Sequence, residues 1–185
     1  MKLKLHLKTV SWVLASALLC SACQSWIPKA QGLATPEWAA QNYQRQDQIE
    51  VQWKSQSFSF LLYQQQRGQS LDMLALSLTG QQLFKLSFDG QKVDVEQRID
   101  PMKRLPFDYV VRDILYATYP NFAALHAAQN AVVQKADTIY IQQQPVLKIQ
   151  GNEGAIELDN LQVPYQMVIS TVSNTLEDDQ GDHHD

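Results

Sequence analysis

Between Ile49 and Ile99, large apolar residues recur at every second position, and polar turn signals interrupt them three times. Phe58, Phe60 and Leu62 alternate with Ser57, Ser59 and Leu61. After Gln66-Arg67-Gly68-Gln69, Leu74, Leu76 and Leu78 alternate with Met73, Ala75 and Ser77. Thr79-Gly80-Gln81 ends that run, and Phe84, Leu86 and Phe88 then alternate with Leu83, Lys85 and Ser87. Asp89-Gly90 is a strong hairpin signal, and Val93, Val95 and Ile99 carry the pattern onward. A period of two is the side-chain period of a strand, so the stretch predicts an antiparallel meander with one apolar face. A one-residue slip would turn any strand's apolar set outward.

The period changes after Pro101 and Pro106. Phe107, Val110, Val111, Ile114 and Leu115 fall at i, i+3, i+4, i+7 and i+8, which predicts a helix from Pro106 to Ala117. Pro106 suits the first turn, Asp108 favours the positive end, and Pro120 stops the run. Thr35-Pro36-Glu37 reads as a second helix start, extending to about Gln46 with Trp38 and Tyr43 as its large groups. An alanine-rich helix is expected from Asn121, with Phe122, Leu125, Ala128 and Val132 on one side. Strands return at Thr138–Gln142, Val146–Gln150, Ala155–Asp159 and Tyr165–Val172. The sum is an α+β domain over residues 36–174, a curved antiparallel sheet or incomplete β-barrel of about eight or more strands covered by one to three helices.

The termini differ from this body. Lys2, Lys4 and Lys8 precede the apolar run Val10–Leu19, the n- and h-regions of a secretory signal. That run is far short of the ~20 residues of a spanning helix. The two cysteines, Cys20 and Cys23, form a C-x-x-C that suggests a redox pair or half a zinc site, but neither a βαβ pattern nor further ligands lie nearby. The stretch LLCSACQSW instead resembles a bacterial lipobox, with Ser21 and Ala22 before an acylated Cys23. Residues 1–22 then form the signal peptide, 23–35 a tether, and 175–185 a disordered acidic tail with His183 and His184. Cleavage would leave Cys23 as the only cysteine, so no internal disulfide can form. Gln24, where retained inner-membrane lipoproteins often carry Asp, points to the periplasmic face of the outer membrane.

Catalytic motifs are missing from the body: no G-x-S-x-G, H-E-x-x-H or phosphate-binding glycine loop occurs. Neither a catalytic residue nor a cofactor or metal is therefore expected. His126, alone in the domain, is read as a surface or satisfied residue, and Asp108 with Arg112 as an exposed i, i+4 ion pair. The net charge is −4 with no basic stripe, which argues against nucleic acid. With 45% hydrophobic and 18% charged residues, the body is ordinary globular material whose informative feature is its apolar face. The space between sheet and helix is either a packed core or a cavity for an apolar ligand.

The stretches IEVQWKSQSFSFLLYQ, SLTGQQLFKLSFDG, RLPFDYVVRDILYATYP and LDNLQVPYQMVIS carry a resemblance to the LolA/LolB-like lipoprotein carriers and receptors. They resemble more closely an uncharacterised family of bacterial lipoproteins with that presumed fold, some members of which accompany aryl-polyene genes. The resemblance implies an incomplete barrel around helices with an apolar cavity. It also implies an exposed apolar residue on a loop between two meander strands, where this chain has the polar turn Gly80-Gln81-Gln82. The expected function is binding and transfer of a lipid-like or polyene-like ligand by an outer-membrane lipoprotein, without enzymatic chemistry. Expected partners are the membrane through Cys23, the ligand, and a periplasmic carrier or exporter protein. Candidate lining residues are Phe58, Phe60, Leu62, Leu74, Leu76, Leu78, Phe84, Leu86, Phe88, Ile114 and Leu115. The alternative is an assembly or scaffold lipoprotein that acts through its outer surface.

Overall fold

In chain order the strands are β1 (Gln44–Trp53), β2 (Gln56–Arg67), β3 (Ser70–Leu76), β4 (Gln82–Phe88), β5 (Val93–Arg98), β6 (Val132–Lys135), β7 (Thr138–Ile141), β8 (Gln144–Asn152), β9 (Ala155–Asn160) and β10 (Tyr165–Asn174). They form one antiparallel sheet in the order β5-β4-β3-β2-β1-β10-β9-β8-β7-β6. The computed structural model describes residues 29–39, 41–129, 132–152 and 154–174. The first and last strands pair at the centre, and β5 and β6 are the free edges.

Helix α1 (Phe107–Thr118) begins after Pro106, which occupies the N-cap, as the sequence predicts to within a residue. It contacts both β5 and β9, which stand six strand spacings apart in the sheet. A flat sheet would hold them roughly 29 Å apart, while a helix is about 10 Å wide. The sheet therefore curves around α1 and leaves an open side between β5 and β6. Charges on β5, at Asp94, Glu96 and Arg98, blunt that edge against strand addition.

Three expectations change. No helix follows Thr35: the Glu37 backbone N–H donates to Thr35 Oγ1 at 3.2 Å, but the turn does not propagate, and β1 has begun by Gln44. Tyr43, Arg45 and Asp47 then alternate inward, and β1 is paired along its length with β2 and nearly so with β10. The alanine-rich segment is a 3₁₀ helix, Phe122–Gln129, rather than an α-helix. Residues 29–35 are docked against the fold instead of forming free tether.

That docked segment, the strap, crosses the open side. Thr35 N–H donates to Gly90 O at 2.8 Å, Thr35 Oγ1 donates to Leu125 O at 2.9 Å, and Tyr116 Oη donates to Gly32 O at 3.0 Å. Ala30, Leu33 and Thr35 are buried. Two glycines give it room. A Cβ on Gly32 (φ +74°) would meet Ile141 Cδ1 at 2.4 Å, and one on Gly90 (φ +91°) would meet Trp38 at the same distance. Both also need the left-handed backbone that side chains resist. Trp38 closes this end by packing on Phe88 and Tyr119, with ring centroids 5.0 and 4.9 Å away.

Candidate functional site

The concave face holds most of the expected lining. Phe60, Leu62, Phe84, Leu86 and Phe88 are buried there, and Ile114 and Leu115 descend on them from α1. Phe58, opposite Val51 on β1, lies on the same face and is half-buried. Phe84 lies 5.4 Å from the Phe60 ring and 4.9 Å from Phe107, both edge-on, so the two layers interdigitate as a packed core.

On β3 the expected face is wrong by one residue. Directly paired residues share a face, and Leu62, Phe84, Leu86 and Phe88 bring Ala75, Met73 and Leu71 inward. Leu74 and Leu76 consequently lie on the convex face, opposite Tyr63 and Leu61 of β2. Leu78 is not on a strand at all. It sits in the β3–β4 turn, 63% exposed, and Gly80 N–H donates to Ser77 O at 2.8 Å to close that turn. The Gln81 N–H bond to Ser77 Oγ, at 3.0 Å, fixes the turn further. The turn read as polar thus presents a leucine at its tip.

A buried polar cluster bounds the interior at each end. At one end, Arg45 Nε bonds both Asp47 oxygens at 2.9 and 2.8 Å, and Arg45 Nη2 donates to Thr171 Oγ1 at 2.5 Å. Gln64 Nε2 adds a bond to Asp47 at 3.1 Å, and Tyr43 Oη meets Thr118 Oγ1 of α1 at 3.1 Å. Burial pushes Asp47 above the usual carboxylate range, opposed by Arg45 and Gln64.

At the other end, Arg112 and Asp113 are fully buried in mid-helix. This replaces the expected exposed Asp108–Arg112 pair, because the strap covers the α1 stripe that carries Asp108, Arg112 and Tyr116. Arg112 Nε donates to Asp113 at 2.8 Å, and Nη1 donates to Gln31 O of the strap and Gln162 Oε1 at 3.1 and 2.7 Å. Asn160 Nδ2 donates to Asp113 Oδ2 at 2.6 Å, and Tyr165 Oη donates to the same oxygen. Asn160 Oδ1 accepts from the backbone of Gln162 and Val163, which builds the β9–β10 turn around the pair. Burial raises the pKa of Asp113, against the opposing effects of Arg112, Tyr165 and Asn160; burial and the adjacent carboxylate raise that of Tyr165.

His126 is buried, with Nδ1 3.2 Å from Phe122 O, and burial lowers its pKa despite nearby carbonyls and Glu37. Asp108 lies half-buried at the mouth, raised by burial and held down by Lys29. It lines two depressions there. One of about 230 Å³ lies among Leu33, Ala34, Lys92 and Val93, and one of about 260 Å³ among Val95, Arg98, Leu105 and Phe107. Among the described residues, no three His, Cys, Asp or Glu side chains converge to hold a metal, and no helix is long and apolar enough to cross a membrane. Cys23, the segment expected to be a signal peptide and the tail with His183 and His184 lie outside the described residues.

These features define a class: an open antiparallel β-sheet wrapped around one helix, with an apolar interior bounded by two buried ion pairs. Residues 44–173 match the family described as "Protein of unknown function (DUF3261)", and the chain belongs to that family. The match starts with β1 and ends in β10, so it spans the whole sheet and leaves the strap outside. No curated protein matches the chain.

Proposed function

We propose that this protein is a periplasm-facing outer-membrane lipoprotein, anchored through acylated Cys23, that binds and passes on a lipid-like or polyene-like molecule without covalent catalysis. The observation that carries the reading is a largely apolar concave face, with its buried polar groups confined to the two ends, on an unclosed sheet that α1 and the strap cover from the open side. Shifting α1 outward would exchange its packing on the core, such as Phe107 on Phe84, for contacts with an acyl or polyene chain. The resemblance to LolA/LolB-like carriers supports this, and so does Leu78, an exposed apolar residue on a turn between meander strands.

Native mass spectrometry of the soluble domain lacking Cys23, with displacement of an apolar fluorophore, tests the proposal. Co-purified lipid and saturable uptake are expected, and an empty, non-binding interior would sink it. A second reading, a scaffold acting through its outer surface, draws on the convex apolar patch of Leu61, Tyr63, Leu74 and Leu76. Crosslinking in intact envelopes separates the two: a stoichiometric partner lost on Leu74→Ser, with no bound lipid, favours the scaffold.

A further inference from the structure

We infer that the open side of the sheet, crossed by the strap, faces the membrane that anchors the chain, so that the interior opens toward the bilayer. This rests on acylation of Cys23. Lys29 is the first residue of the strap, and it lines the mouth depression with Lys92, Val93 and Asp108. Six peptide steps separate it from Cys23, and whatever their conformation they reach no further than roughly 20 Å. A domain of about 140 residues is roughly 35 Å across. The link is therefore too short to let the mouth turn to the far side of the domain, which favours an orientation with β1 and β10, at the centre of the sheet, pointing away.

Charge agrees with that orientation. Lys29, Lys92, Arg98 and Lys103 surround the two mouth depressions, whose floors include Val93, Val95, Leu105 and Phe107. The acids nearby are Asp108, which faces Lys29; Asp100, bonded to Lys103 at 2.6 Å; Asp89, whose carboxylate is turned onto the backbone N–H groups of Gln91 and Lys92; and Asp94 and Glu96 at the exposed positions of β5, Glu96 paired with Lys85 at 2.5 Å. On the far side the outer face of β1 carries exposed Glu50 among glutamines. The rim cations Lys92 and Arg98, which form no salt bridge among the described residues, suit an anionic phospholipid surface, where each nearby Lys or Arg adds attraction that salt weakens.

The lipidated chain, reconstituted in phosphatidylethanolamine–phosphatidylglycerol vesicles, tests this with a fluorophore on Lys92→Cys or Glu50→Cys and a nitroxide on the lipid headgroup. Quenching at position 92 should exceed that at position 50 at least twofold. Equal or reversed quenching would overturn the orientation. Vesicle flotation reports the anchor separately: Cys23→Ala should abolish flotation, and a variant that still floats would overturn the anchoring reading instead. A ten-residue Gly/Ser spacer after Gln24 should keep flotation and shrink the quenching difference, and an undiminished difference would overturn the role given to the short link.

Discussion

The two buried arginine–aspartate pairs solve the same electrostatic problem in different ways. Arg45 and Asp47 lie two apart on one strand, on the same face, and draw their other bonds from β2 and β10. Arg112 and Asp113 are neighbours on a helix, and their partners come from the strap, the β9–β10 turn and β10. The first pair fastens strands that the backbone ladder already joins. The second joins α1, the strap and the β9–β10 hairpin, which no ladder connects to one another, so it decides whether α1 and the strap remain on the sheet.

The largest effect should follow Asp113→Ala, which leaves a buried guanidinium without its counter-ion. A loss of ~3–5 kcal/mol is expected in urea unfolding, with faster hydrogen exchange along α1. Asp47→Ala should cost less, about 2–3 kcal/mol, because Arg45 keeps Thr171 and lies near the end of its strand. It should leave exchange in α1 nearly unchanged, and equal exchange in the two variants would erase the distinction drawn between the pairs.

A smaller effect separates the helical side by pH. His126, whose ring lies 6.0 Å from that of Tyr116 under the strap, has a pKa lowered from 6.5. A depressed folded-state pKa contributes stability that is present above 6.5 and lost as pH falls toward the folded value. His126→Gln should flatten the decline in urea midpoint below pH 6.5, and an unchanged slope would clear His126 of it. Asp47 and Asp113, both raised, act in the opposite sense: their contribution falls as pH rises above the ordinary carboxylate value.

The smallest change sharpens the sheet side alone. Gln142 and Gln143, between β7 and β8, hold φ of +50° and +67°, which non-glycine residues adopt at a cost. Gln143→Gly should stabilise by about 0.5–1 kcal/mol in the same urea assay, without altering exchange in α1. A loss of stability would mean that the Gln143 side chain makes contacts outweighing the backbone strain.

Local period made the middle of the molecule readable. Phe107 through Leu115 fixed α1, and Phe60, Leu62, Phe84, Leu86 and Phe88 fell on the face that alternation assigned them. On β3 both alternating sets are apolar, Leu71-Met73-Ala75 against Leu74-Leu76-Leu78, so period alone could not choose, and pairing with β2 and β4 did. The first half of β1 escaped because its inward residues are Arg45 and Asp47 rather than hydrophobes, while Thr35-Pro36-Glu37 imitates a helix start. The break between β7 and β8 falls at Gln142-Gln143 rather than over the expected residues 143–145, because glutamine carries no turn signature. Arg112 read as exposed because the residues that bury it lie distant in the chain: the strap, Gln162 and the turn that Asn160 builds.

The central pairing of β1 with β10 governs the order of assembly. Ile49 faces Ile169 across that junction, so the sheet is joined by contacts between the first and last strands of the domain. Such a nonlocal closure is slow. During synthesis, β1–β5 can zip together from adjacent hairpins while one edge of β1 waits, unpaired and apolar on its inner side, until the C-terminal strand arrives. Truncation before β10 would thus do more than remove an end: it would open the sheet at its middle and leave an aggregation-prone edge.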